Sequence, residues 1–171
     1  PGPMFGDNAP MPGRGSGLAK HATGTLHMFG RGTRHFEKPS FDIKEVAIGG
    51  ATVSVHEPIV WQTPFFKLLH FAKPDSAEPQ PKLLLVAPMS GHFSTLLRDT
   101  VKEMLPKFDC YVTDWQDARD IPHSAGSFDL DDYTDTIIHI LSHVGERAHV
   151  MAVCQPSVPV LAPVSMRGEA R

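Results

Sequence analysis

Only two cysteines, Cys110 and Cys154, occur in 171 residues. That excludes a small disulfide-held scaffold and points to a reducing compartment. No apolar run approaches the roughly 18 residues of a membrane span, and no charged-then-apolar leader opens the chain. Neither sign of charge dominates, with 16 Lys and Arg against 19 Asp and Glu for a net charge of −3. The basic excess that would hold nucleic acid or an anionic membrane is missing. Aromatic residues are sparse at 8%, yet a hydrophobic content of 41% is enough for a packed core. The length fits one domain, at about 100–200 residues per domain. These limits give the expectation of a cytoplasmic protein.

What is present is unevenly spread. Eight of the 14 glycines and five of the 16 prolines fall in the first 40 residues, which hold no sustained apolar period. Residues 1–40 are therefore expected to form a flexible, disordered Gly/Pro-rich arm, and 41–171 the folded part. No internal repeat is found.

From Lys44 the texture changes. Lys44–Ile48 and Ala51–Val55 alternate apolar and polar residues around Gly49-Gly50, the signature of a β-hairpin. Ile59–Trp61 and Phe65–Phe71 are further strand-like runs, and Pro74 to Pro81 is a surface connector. Leu83–Ala87, Cys110–Thr113 and His149–Val153 are continuous apolar runs, as in strands buried on both faces of a parallel sheet. Between them lie two helical patterns. Leu96, Leu97, Val101, Met104 and Leu105 form one, ended by Pro106. Leu130, Tyr133, Ile137, Ile140, Leu141 and Val144 form the other, with Asp129, Asp131 and Asp132 at its positive end and Gly145 after it. This β-α-β-α-β order predicts an α/β fold built on a parallel, doubly wound sheet.

The chemistry concentrates where the last strand ends, at Val153-Cys154-Gln155-Pro156. An apolar strand, one nucleophilic side chain and a helix start make the layout of a nucleophile elbow, which exposes the nucleophile at the carboxyl end of the sheet. The helix N-terminus behind it favours negative charge on the sulfur. Pro156 suits the first helical position, where no N–H is needed. The elbow departs from G-x-S-x-G, with Ala152 and Pro156 in the glycine places and Cys for Ser. The competing reading is one more buried, inert cysteine. At the end of the first parallel strand, Pro88-Met89-Ser90-Gly91-His92 is a small-residue turn. There the Met89 and Ser90 N–H groups are oxyanion-hole candidates, joined by the N–H of Gln155. The competing reading is an ordinary loop, with Ser90 or Ser94 as helix cap.

Two other clusters favour structure over chemistry. His139 and His143 lie four apart on a helix, but off its apolar face and without a third ligand, so no metal is expected. Asp114, Asp117, Arg119, Asp120 and His123 crowd one segment, where such residues commonly form ion pairs and turns.

With these residues in view, the sequence resembles the intracellular polyhydroxyalkanoate (poly-3-hydroxybutyrate) depolymerases. The resemblance is carried by RHFEKPSFDI at Arg34–Ile43, LVAPMSGH at Leu85–His92, YVTDWQDARDIPHSAGSFDLDD at Tyr111–Asp132 and AVCQPSVP at Ala152–Pro159. It implies an α/β-hydrolase that cleaves ester bonds of stored polyester with Cys154 as nucleophile and no cofactor. Its partners would be the storage granule or hydroxyacid ester oligomers. The family's triad Asp and His follow the nucleophile, and neither residue type occurs after Cys154 here. Pro163 would also interrupt the helix after the elbow, at ~3 kcal/mol or more. The chain is thus expected to be the N-terminal portion of an α/β-hydrolase domain, truncated after the elbow and inactive alone. The alternatives are a polyhydroxyalkanoate synthase-like acyltransferase, against which Ala152 and Pro156 speak, and a non-catalytic granule-surface binding protein.

Overall fold

The computed structural model describes residues 37–74, 79–89, 93–145 and 147–169, together with Thr25, Met28 and Gly30; side chains are described as far as Ser165. The expected arm over 1–40 lies almost wholly outside the described residues. The chain divides between Glu37 and Lys38, and every element below belongs to the second unit.

The hairpin forms as its alternation requires. Strands β1 (Glu45–Ile48) and β2 (Ala51–Ser54) pair antiparallel as a separate two-stranded sheet. Gly49 and Gly50, at φ of 58° and 87°, supply the two left-handed positions of the tight turn.

The main sheet has five strands: β3 (Ile59–Gln62), β4 (Phe66–Phe71), β5 (Lys82–Val86), β6 (Asp109–Trp115) and β7 (His149–Ala152). Their spatial order is β3-β4-β6-β5-β7. Strands β5, β6 and β7 run parallel, whereas β4 is antiparallel to both β3 and β6. The sheet is therefore mixed rather than wholly parallel, which corrects the sequence expectation. The reason lies in the connections. Thr63 closes a tight reversal between β3 and β4: its N–H donates to the Phe66 carbonyl at 2.9 Å, and its hydroxyl accepts from the Phe65 and Phe66 N–H groups at 3.2 Å each. A reversal that tight only makes antiparallel neighbours, because a parallel pair needs a crossover of a dozen or more residues. The proline-rich connector between β4 and β5 is likewise too short for a crossover helix. The fold is mixed α/β.

Two crossovers carry helices. A 3₁₀ turn at Ser94–Leu97 leads into α1 (Arg98–Met104), and α2 (Leu130–Val144) joins β6 to β7. Leu96 and Leu130, both placed on apolar faces by spacing alone, are 59% and 62% exposed. Leu130 opens α2 one turn before its first buried residue, Tyr133, and Leu96 faces out between buried Ser94 and Leu97. Helix α2 starts with a reciprocal cap. The Asp129 carboxylate accepts from the Asp131 and Asp132 N–H groups, and Asp132 accepts from the Asp129 N–H. At its far end the Lys82 ammonium binds the Val144 carbonyl and Gly145 takes φ 107°.

Helix α3 (Ser157–Glu169) packs against α2 and corrects two expectations. The Pro156 carbonyl accepts the first helical bond, from Val160 at 3.0 Å, so Pro156 is the cap residue and not the first helical one. The helix also runs through Pro163. Pro156, Pro159, Val160 and Pro163 fall on one side and are all buried. Packing of that ring face offsets the lost backbone bond.

The core lies between sheet and helices. Leu83, Leu84, Leu85 and Val86 are at most 3% exposed, as a central strand covered on both faces must be. They meet Val112 on β6 and Ile137, Ile140, Leu141 and Val144 on α2 within one cluster.

Candidate functional site at the Cys154 turn

Parallel strands bring their carboxyl ends to one edge of the sheet. Val86 sits beside Ala152 in register, and the ladder runs one step further, with the Val153 N–H donating to the Val86 carbonyl at 3.3 Å. Backbone pairing therefore holds the chain up to the residue before the cysteine. At Cys154 it turns sharply. Its φ is 69°, in the left-handed region that side-chain-bearing residues rarely enter. The Cys154 carbonyl then accepts from the Ser157 N–H at 3.1 Å, which starts the turn into α3. Strand pairing on one side and helix on the other hold a strained residue whose side chain faces outward. Cys154 is exposed, whereas Cys110 is buried within β6. The reading of Cys154 as a buried residue is thereby overturned, and Cys110 is the buried cysteine instead. Burial pushes the Cys110 thiol up to about 12; nearby Lys73 opposes this and Asp109 adds to it.

The loop after β5 reaches the same edge. The Met89 N–H donates to the side-chain oxygen of Gln155, Oε1, at 3.2 Å. Met89 is thus brought to Gln155, through the glutamine's side chain and not its backbone N–H. Ser90 lies outside the described residues. The exit of β5 is fixed from β6: the Ala87 N–H donates to the Thr113 hydroxyl, and the Trp115 indole N–H donates to the Ala87 carbonyl, both at 2.9 Å. Thr113 and Trp115 are two apart on one strand, so both meet Ala87 from the same face. Sequence reasoning missed this pair. Its signal was a polar residue and a tryptophan alternating at the end of an apolar strand.

Asp114, between them, points to the opposite face and corrects its placement in a loop cluster. It is 3% exposed and lies within β6. Its carboxylate accepts from the Ser94 hydroxyl at 2.6 Å and pairs with Lys38. Ser94 is therefore committed to Asp114 and makes no helix cap. Asp117 and Arg119 do form the expected ion pair, at 2.6 Å.

No protein-family model, curated protein or solved structure matches the chain.

Among the described residues no group of three or more His, Cys, Asp or Glu side chains gathers for a metal. His139 and His143 instead line a shallow groove of about 410 Å³ with Val60 and Trp61, and the His143 ring lies 5.9 Å from that of Trp61. No described helix is long and apolar enough to cross a membrane. Chemically, the edge offers an exposed thiol on a strained turn, backed by a helix start and flanked by a backbone donor from the neighbouring strand's loop.

Proposed function

We propose that this chain acts as a cysteine-dependent ester hydrolase on polyhydroxyalkanoate, with Cys154 as nucleophile. The observation that carries the reading is the left-handed φ of 69° at exposed Cys154 between β7 and α3. A nucleophile elbow spends strain in this way to present its side chain clear of the sheet. The order β3-β4-β6-β5-β7 fits the strand order by which an α/β-hydrolase sheet leads up to its nucleophile. On this reading the Cys154 thiolate attacks the ester carbonyl carbon, and the carbonyl electron pair moves onto oxygen. The Gln155 and Met89 backbone N–H groups stabilise that oxyanion. Collapse expels the hydroxyl end of the polymer as alcohol and leaves a thioester. Water then releases the acid and restores the thiol. The base for the thiol proton would be the histidine that follows the nucleophile in the family the sequence resembles.

A second reading, a non-catalytic polyester-surface protein, is favoured by the exposed apolar residues Val158, Leu161 and Val164 on α3, at 76%, 68% and 41%. Mixing the chain with p-nitrophenyl butyrate and following intact mass separates the two. One butyryl group on Cys154, retained in Cys110→Ala and lost in Cys154→Ala, is the expected result. Acylation spread over both cysteines, or none at Cys154, would refute the hydrolase reading.

A further inference from the structure

The Met89–Gln155 hydrogen bond joins a backbone donor to a side chain that is exposed and adjacent to the nucleophile. Its acceptor is an sp² carbonyl oxygen, the same atom type that an ester presents. Nothing about folding requires this bond. Met89 leaves β5 through Pro88, and the exit of that strand is already held by the Thr113 and Trp115 bonds to Ala87. A glutamine on the surface otherwise keeps its amide in water at no cost.

We infer that the Gln155 side chain is a displaceable plug: its Oε1 accepts the Met89 N–H that an incoming ester carbonyl must take over, so acylation of Cys154 requires Gln155 to swing out. The inference rests on the ester-hydrolase reading and adds a control device to it. The plug selects by hydrogen-bonding capacity. A substrate with a good carbonyl acceptor displaces Gln155 at little net cost, because one carbonyl replaces another on the same donor. A thiol reagent without a carbonyl has no use for the donor and leaves the plug in place. The backbone N–H of Gln155 is untouched by changes to the side chain.

The test compares the unmodified chain with Gln155→Met, which keeps side-chain length and removes the carbonyl. Three measurements are made: Cys154 acylation by p-nitrophenyl butyrate, Cys154 disulfide exchange with 4,4′-dithiodipyridine, and deuterium uptake of the peptide containing Met89. Removing the competing acceptor is expected to speed acylation roughly 3- to 10-fold, the range that one neutral hydrogen bond confers. Disulfide exchange should stay within about twofold and Met89 uptake should rise. Acylation that is unchanged or slower in Gln155→Met overturns the plug. An equal rise in both thiol reactions also overturns it, since Gln155 would then merely shield the sulfur. Absence of Cys154 acylation in both proteins overturns the ester-hydrolase reading itself and the plug with it.

Discussion

Replacing Asp114 with alanine removes a carboxylate that ties both Lys38 and the Ser94 turn to the sheet. The Asp114 side chain is 5% exposed and Lys38 is 34% exposed, while Ser94 is 2% exposed. Breaking a buried ion pair by deleting one partner typically costs about 3–5 kcal/mol. Here the ammonium left behind reaches water, which lowers the penalty on that side. The Ser94 hydroxyl does not, and a hydrogen bond to a charged group contributes about 1.5–3 kcal/mol. Asp114→Ala should therefore cost ~3 kcal/mol. At a urea m-value of about 1–3 kcal/mol/M, its midpoint falls by roughly 1–3 M. Asp114→Asn retains an oxygen for Ser94 and loses only the charge pairing with a partly solvated lysine, so it should cost about half as much. Urea unfolding at pH 7, followed by tryptophan fluorescence, measures both variants. Trp115 adjoins Asp114 in sequence and is largely buried, which makes the signal local as well as global. An alanine variant within ~0.5 kcal/mol of the parent would show that the carboxylate does not anchor this corner, and an asparagine variant as costly as alanine would overturn the division of the cost between the Ser94 hydrogen bond and the charge.

Other outcomes follow from single groups. Asp129→Ala removes the acceptor of two N–H groups at the start of α2 and should destabilise by ~1 kcal/mol in the same assay. Tyr133 has a buried hydroxyl without a hydrogen-bond partner among the described residues, and burial pushes its phenol up. Tyr133→Phe should stabilise by ~1 kcal/mol, and a comparable loss would reveal a missed partner. Burial acts to raise the Asp109 carboxyl, but the hydrogen bond and charge of His70, with Lys73, outweigh it and hold the group below its usual 3.8. A depressed carboxylate stabilises the fold above its unfolded value and loses that effect as pH falls through its folded value. The stability gap between the parent and Asp109→Asn should be present above about pH 4 and shrink progressively as pH falls below it. A gap that is constant from pH 7 to pH 3 would refute the pairing.

The legible parts of this chain were those dictated by local physics. The Gly49-Gly50 hairpin, the Asp129 start of α2 and the Leu83–Val86 central strand follow from dihedral preference, end charge and two-sided burial. Cys154 was legible because a strand, a small residue and a proline surround it. Strand direction was not. Ile59–Gln62 and Phe66–Phe71 carry no mark of antiparallel pairing beyond the length of their connections, and a purely apolar pattern reads alike in either sense. Nor was Asp114, whose acidic neighbours Asp117 and Asp120 make it look like one more loop residue. Its burial depends on Lys38, 76 positions away, and no window of local sequence contains both. Pro163 misled for the converse reason, since the propensity cost is local and the packing that offsets it is not.

The order β6-β5-β7 has a consequence for how the molecule is made. Strand β5 is bordered by β6 early in synthesis, but its other flank waits for His149–Ala152, with Leu83 beside His149. Closing an interval of that length carries a loop entropy of about 4 kcal/mol before any pairing is returned. A chain emerging from N-terminus to C-terminus thus holds one side of its most apolar strand open while α2 is still being produced. The thiol turn cannot precede that closure, because the Val153 bond to Val86 and the start of α3 both depend on it. Reactivity at Cys154 consequently waits for β7 to pair with β5, and the rate at which the thiol gains its distinct chemistry reports when that strand docks.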